Sequence, residues 1–379
     1  MALARLRAAR RARRRRDRQP LHARRSERGR PRSAGAGAHR VTVDEGRSPA
    51  VHWGRVAVGA VLAVVVGAGV VGLIGRAAGF GELEEAFRGS DPTWLLVCAG
   101  GQLVVFAGIG AAFRGAVQFE GGPDLGRLLA LRVMVTAFGF SQLIAAAGAA
   151  SLALSYWALR RIGFSRQESA VRMIGFQTTV YLVFGLVGLA AAAVTLVTGV
   201  AHLGMVVPWL VVVPACVVAA RWFTDPVRVG RWVAAGGGRL RQGLAIGVGA
   251  AAWTRRALAN RAGRATARGA ILYWVGDIVS LWGGLRAAGA DPELAALVLA
   301  YATGYLASAL PVPFIATGGV DAAMTFGLSA VGVPLETALL GVVAHRLFAF
   351  WLPLVPALVL AAGLRRTAHA LDRAAATDR

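Results

Sequence analysis

The residues of this chain that could do chemistry stand inside apolar stretches. Asp277 lies near the middle of the apolar run Gly269 to Leu285, in Tyr273-Trp274-Val275-Gly276-Asp277. The stretch Leu310 to Pro356 holds Gly318-Gly319, Asp321, Glu336, His345 and Arg346, with prolines at 311, 313, 334 and 353 before Pro356. A charge at the centre of a bilayer span costs about 3 kcal/mol on insertion scales, so it faces a partner or a polar cavity. Asp277 therefore has two readings. It contacts a cation, a proton or a head group, or it is a buried acid paired with an Arg or a Trp indole for packing specificity.

Gly318-Gly319 follows Pro311 and Pro313, a composition that permits a sharp turn before a helix restarts. The free N–H groups of a helix start form an anion site suited to a lipid phosphate. The plainer reading is a capping turn, with Asp321 at the favourable end of the helix dipole. Arg346 lies about ten residues inside the apolar segment Thr337 to Leu364, deeper than an end-snorkelling Arg needs. Its guanidinium suits bidentate phosphate binding; its plainer role is an ion pair with Asp321 or Asp277. His345 has no second His at i+3 or i+4, so no metal site is expected there.

The elements that must hold these residues are membrane helices. Of 379 residues, 56% are hydrophobic and only 16% charged. Apolar blocks of span length recur. The expected fold is an all-α polytopic integral membrane protein with about eight transmembrane helices plus re-entrant or broken helices. The basic residues, all Arg, give a formal net charge of +23. With so much Ala, Gly and Val this reads as compositional bias from a GC-rich genome. Cys98 and Cys216 fall in different apolar blocks and read as small apolar filler, with no disulfide framework.

Met1 to Arg55 carries seventeen Arg and no apolar periodicity, so residues 1–55 are expected to form a disordered, Arg-rich cytoplasmic tail. It is no cleavable signal peptide and no nucleic-acid arm is expected. The transmembrane domain is expected over residues 56–364. Val56 to Ile74 is its first span and Trp94 to Phe113 its second. Val133 to Leu159 is uncharged but interrupted by Ser141, Gln142, Gly148, Ser151 and Ser155, which favours a re-entrant or broken helix. Residues 173–220 are long enough for two spans joined near Thr198 to Gly204. Residues 221–268 hold ten Arg and one acid, a basic cytoplasmic loop whose part Trp253 to Arg268 could be an amphipathic surface helix. Spans are then expected at Gly269 to Leu285, Leu294 to Leu310, Phe314 to Val333 and Thr337 to Leu364, before a short basic tail at 365–379.

Two segments look alike. Gly163-Phe164-Ser165-Arg166-Gln167-Glu168-Ser169-Ala170 follows the break at Gly148. Gly332-Val333-Pro334-Leu335-Glu336-Thr337-Ala338 follows Gly318-Gly319. They align with one gap, as duplicated broken helices would. No hydrolase elbow, phosphate-binding loop or metal motif is present, so no catalytic residue, metal or cofactor is expected. Trp351, Pro353 and Pro356 read as interface anchor and kinks.

The stretch TGGVDAAMTFGLSAVGVPLETALLGVVAHRLFAFWLP resembles the closing signature of the lysylphosphatidylglycerol synthase transmembrane family, flippase-like membrane proteins. The matching positions are Gly318-Gly319, Leu328 through Gly332-Val333-Pro334, Ala338, Arg346 and Phe350 to Pro353. Trp274-x-x-Asp277 and Leu159-Arg160-Arg161-x-Gly163 also look like the family. The likeness covers roughly Val56 to Leu364. Thr317 stands where the family commonly has Pro, and Met324 where it commonly has an acid, while Asp321 supplies one earlier. Larger relatives carry a soluble aminoacyltransferase domain after the membrane part. This chain has fifteen residues after Leu364, so that domain and lysyl transfer are not expected.

The resemblance implies a flippase-like protein that binds or translocates an anionic phospholipid or a lipid-linked envelope precursor, not an enzyme. The expected partners are anionic membrane lipids, and the expected location is the bacterial inner membrane with both termini cytoplasmic. Asp277, Gly318, Gly319, Asp321, His345 and Arg346 are the candidate substrate-binding residues. Two alternatives remain open. One is an integral glycosyltransferase with a polyprenyl-phosphate donor, using Glu82, Glu84, Glu85 and Asp91. The other is a scaffold for envelope assembly.

Overall fold

A computed structural model describes residues 91–143, 149–200, 202–223, 238–306 and 319–377. The first expected span, the N-terminal tail, Thr317 and Gly318 lie outside these residues. The described chain is all helical. Its elements are α1 (Pro92–Gln118), α2 (Arg127–Leu143), α3 (Ala149–Arg161), α4 (Arg166–Thr198), α5 (Leu203–Phe223) and α6 (Gly238–Ala259). They continue as α7 (Arg264–Ala287), α8 (Leu294–Tyr305), α9 (Val320–Ala330), α10 (Leu335–Ala362) and α11 (Leu364–Thr377).

Local chemistry sets these boundaries. Asp91 caps α1 by accepting from the Thr93 N–H at 2.9 Å, and Pro92 follows at the first helical position. That hydrogen bond holds the Asp91 carboxyl below its usual range. Ser165 caps α4 by accepting from the Glu168 N–H at 3.2 Å, and α4 ends on left-handed Gly199. The two spans expected in 173–220 are α4 and α5, joined where the sequence suggests.

Among the described residues, α1, α4 and Leu203–Trp222 of α5 are long and apolar enough to cross a membrane. The helices α2, α3, α8 and α9 have 17, 13, 12 and 11 residues, short of the ~20 that a bilayer core requires. They form hairpins instead. Ser155 Oγ lies 4.0 Å from Met134 Sδ, and Leu154 packs with Ala137, so α3 folds back along α2. Arg160 and Arg161 thus return to the end where α2 begins. In the same way a Cβ on Gly304 would meet Met324, and one on Gly327 would meet Ala300, so α9 folds back along α8. Of the expected spans Leu294 to Leu310 and Phe314 to Val333, the described parts are α8 and α9, packed antiparallel; residues 307–318 lie outside the described residues.

Two other expectations change. Trp253 to Arg268 is not one surface helix. α6 ends at Ala259, Trp253 is 1% exposed against Gly175 of α4, and Thr254 Oγ1 donates to the Gly175 carbonyl at 3.2 Å. The basic C-terminal segment is the helix α11. It buries Ala368 and Leu371 and pairs Asp372 with Arg161 of α3 at 3.0 Å.

The core seam is α1 against α7. Gly101, Gly108 and Gly115 recur every seven residues on α1, and Gly269, Gly276 and Gly283 do so on α7. A Cβ on Gly101 would sit 2.6 Å from the Gly276 carbonyl, so the backbones touch where side chains would otherwise hold them apart. Gly115 faces Thr266 and Gly283 faces Cys98, so the helices run antiparallel.

The contacts are also reciprocal. Gly101 meets Gly276 as Gly269 meets Gly108, a correspondence displaced by 168 residues (269 minus 101). The turns agree at a displacement of 169 (328 minus 159). Phe164 N donates to the Leu159 carbonyl at 3.3 Å and Val333 N to the Leu328 carbonyl at 3.1 Å. Gly163 and Gly332 take positive φ values of 107° and 95° in these Schellman turns. Helices α1 to α4 thus correspond to α7 to α10, with the direction of the chain reversed between the halves.

Candidate functional site

Asp277 is placed by this seam. It follows Gly276 on α7, and Gln102 follows Gly101 on the facing helix. The glycine contact brings their side chains together, so that Gln102 Nε2 donates to Asp277 Oδ1 at 2.9 Å. From α8, the Tyr301 hydroxyl donates to Asp277 Oδ2 at 2.5 Å. From α10, His345 Nε2 lies 3.8 Å from Oδ1. That helix approaches closely because Gly284 and Gly341 face each other; a Cβ on Gly284 would sit 2.5 Å from the Gly341 carbonyl. His345 Nδ1 and Ser280 Oγ, one turn along from Asp277, are 3.0 Å apart. Ser280 in turn touches Cys98 Sγ at 3.3 Å.

The cluster is buried. Asp277 is 8% exposed, His345 5%, and Ser280 and Tyr301 are closed off entirely. An aromatic layer lies over Tyr301. Phe184 of α4 stacks 4.5 Å from Trp274, and Tyr305 stands 5.2 Å from Trp274 and 5.8 Å from Tyr301. The Trp274 indole donates to the Val180 carbonyl at 2.8 Å, so the partner it was a candidate to supply for Asp277 comes from Gln102, Tyr301 and His345 instead. Both carboxylate oxygens accept a hydrogen bond from an uncharged donor, which suits an anion in a dry site.

The second charged pair lies alongside. Arg346 Nε is 3.1 Å from Asp321 Oδ2, with 30% of the Arg side chain and 16% of the Asp side chain exposed. Asp321 sits in the first turn of α9, and Gly319 is its N-cap residue in right-handed helical geometry without a side-chain cap. Thus the ion pair raised as the plainer role for Arg346 is formed, with Asp321 and not with Asp277. Gly318 lies outside the described residues, so the glycine pair is seen only through Gly319.

Gln102, Ser280, Tyr301 and Cys98 belong to the cluster and were not picked out as candidates. Their signal was present in the glycine repeats at 101, 108, 115 and at 269, 276, 283, which put Gln102 opposite Asp277. Cys98 is a contact of the polar cluster and not simple filler. Among the described residues, no three His, Cys, Asp or Glu side chains converge as a metal would require. Asp91, one of the four acids of the glycosyltransferase alternative, caps α1; Glu82, Glu84 and Glu85 lie outside the described residues.

The profile of the lysylphosphatidylglycerol synthase TM region matches residues 60–357 of the 379-residue chain. No curated protein and no solved structure matches it. The chain belongs to the lysylphosphatidylglycerol synthase TM family, and is a membrane protein linked to lipid handling.

Proposed function

We propose that this chain binds an anionic phospholipid or lipid-linked precursor and carries its head group across the membrane, without catalysing a reaction. The observation that supports this most is the Arg346–Asp321 pair. It joins a part-exposed guanidinium to a carboxylate at the start of a broken-helix arm. A carboxylate and a phosphate offer Arg the same paired-oxygen geometry. A lipid phosphate arriving at α9 can take the place of Asp321 on Arg346 while the N–H groups at the start of α9 add their dipole. Departure of the phosphate restores the internal pair, so the cation is never left without an anion.

The Arg-rich segments fit a bacterial inner membrane with both termini cytoplasmic. Seventeen Arg precede residue 56 and ten lie in residues 221–268. The basic segments also favour anionic head groups on that side.

The test is retention of phosphatidylglycerol by the purified full chain, measured by mass spectrometry of extracted lipid. Arg346→Ala is expected to reduce retention at least tenfold, with Arg346→Lys in between because Lys binds phosphate as a point charge. Equal retention by wild type and Arg346→Ala would remove Arg346 from the site. Retention of neutral and anionic lipids in their bulk ratio would remove the head-group preference.

A further inference from the structure

We infer that the Asp277–His345 pair is a proton-binding site within the membrane, taking up one proton per chain. The inference goes beyond the lipid reading and stands on the contacts that α1, α7, α8 and α10 make around Asp277.

The pair lacks one proton. Nδ1 of His345 is engaged with Ser280 Oγ, and Nε2 faces Asp277 Oδ1 across 3.8 Å. That distance is too long for a hydrogen bond in either neutral tautomer and short enough for an ion pair. Asp277 is already served by Gln102 and Tyr301 as an anion would be. A proton arriving from water binds the Nε2 lone pair, and the resulting imidazolium faces the carboxylate. The transfer involves no electron exchange, and reversing it releases the same proton.

The surrounding charges leave this pair as the place where a proton changes the balance. On α10 and α9, Arg346 and Asp321 neutralise each other. From α8 come Tyr301 and Tyr305, from α7 Tyr273, and from α1 Cys98, all groups that are neutral when protonated. Among the described residues facing His345, Asp277 is the carboxylate with no Arg partner. Protonation makes the cluster neutral.

The bland alternative is that these polar groups hold the helices together. The other half of the molecule argues against it. At a displacement of 168 residues Asp277 corresponds to Ile109, Ser280 to Ala112 and Gln102 to Ala270. At 169, His345 corresponds to Phe176. All four counterparts are buried and apolar, at 0–3% exposure. The packing plan does not require charge at this position.

The experiment is a proton count on the full chain in nanodiscs, by potentiometric titration between pH 8.5 and 5.5. Wild type, Asp277→Asn and His345→Gln are compared. Wild type is expected to take up one more proton per chain than either variant. Asp277→Asn is the decisive arm, because it keeps the histidine and removes only its counter-anion. Equal uptake by wild type and His345→Gln would mean that His345 never takes a proton and would overturn the inference. Equal uptake by wild type and Asp277→Asn would overturn the pair as the site. Should either variant fail to fold, His345→Asn or Asp277→Ser supplies the same arm. Lipid retention measured on the same samples separates the two ideas. Wild type that retains the lipid but takes up no more protons than the variants would sink the proton site alone; an extra proton in wild type without lipid retention would sink the lipid reading alone.

Discussion

Where α7 carries Asp277, α1 carries Ile109; where α10 carries His345, α4 carries Phe176. The two halves share a glycine seam, a hairpin and a Schellman turn, and they differ in where they put charge. The first half buries a charge at the end of a helix. Arg172, 2% exposed, donates to the Ala116 carbonyl at 3.0 Å and to that of Phe119 at 2.5 Å, closing the C-terminus of α1, and pairs with Glu168 at 3.1 Å. Its counterpart is Gly341, which admits α10 against α7. A left-handed glycine follows both helices, Gly121 with φ of 75° after α1 and Gly289 with φ of 85° after α7, so the buried Arg is what the first half adds. Charge in the first half therefore finishes backbone hydrogen bonding, which is a folding task. In the second half Asp277 and His345 face each other mid-helix, where no helix end needs a donor or acceptor, so their charge has no such task.

Four substitutions test this contrast. The largest effect is expected from placing the second half's acid in the first. Ile109→Asp would put a carboxylate at a position 2% exposed within the apolar core. An unpaired buried carboxylate there should cost about 4 kcal/mol, enough to abolish monodisperse protein in size-exclusion chromatography. Recovery of well-folded Ile109→Asp would mean that the apolar half tolerates charge, and the contrast would lose its force. Next, Arg172→Leu should cost about 3 kcal/mol by leaving α1's last carbonyls without donors, seen as a lower midpoint of thermal unfolding. The smallest effect is expected from Gly101→Ala and Gly269→Ala. Each should cost about 2 kcal/mol, because the new Cβ meets backbone that must move. The two costs should be equal. Markedly unequal midpoints would show that the reciprocity of the seam is geometric only.

Much of the fold was legible in sequence, because apolar length and Arg placement decide which segments lie in a membrane. The α4–α5 junction was readable from the length of the uncharged run at 173–220, and the polar residues Ser141, Gln142, Ser151 and Ser155 marked the region where α2 and α3 fall. At 294–310 and 314–333 hydropathy does not show how the segments pack; α8 and α9 lie side by side there because Gly304 and Gly327 let them approach. The site was half legible. Asp277, Asp321, His345 and Arg346 announce themselves as charges in apolar surroundings. Gln102, Ser280 and Tyr301 do not, because their role depends on which helices touch. The heptad glycines at 101, 108 and 115 and at 269, 276 and 283 encode that contact. In a chain so rich in Gly they are visible only when the spacing is counted.

The most direct test gives the second half the first half's residues, with Asp277→Ile and His345→Phe combined in one chain. The measurement is the rate at which NBD-labelled phosphatidylglycerol crosses the bilayer of proteoliposomes, read by dithionite quenching. A fall to the rate of protein-free vesicles is expected, with an unfolding midpoint unchanged or raised, because an apolar replacement of a buried polar cluster leaves packing intact. Wild-type transfer by the apolar variant would contradict it and return the Asp277–His345 cluster to a purely structural role.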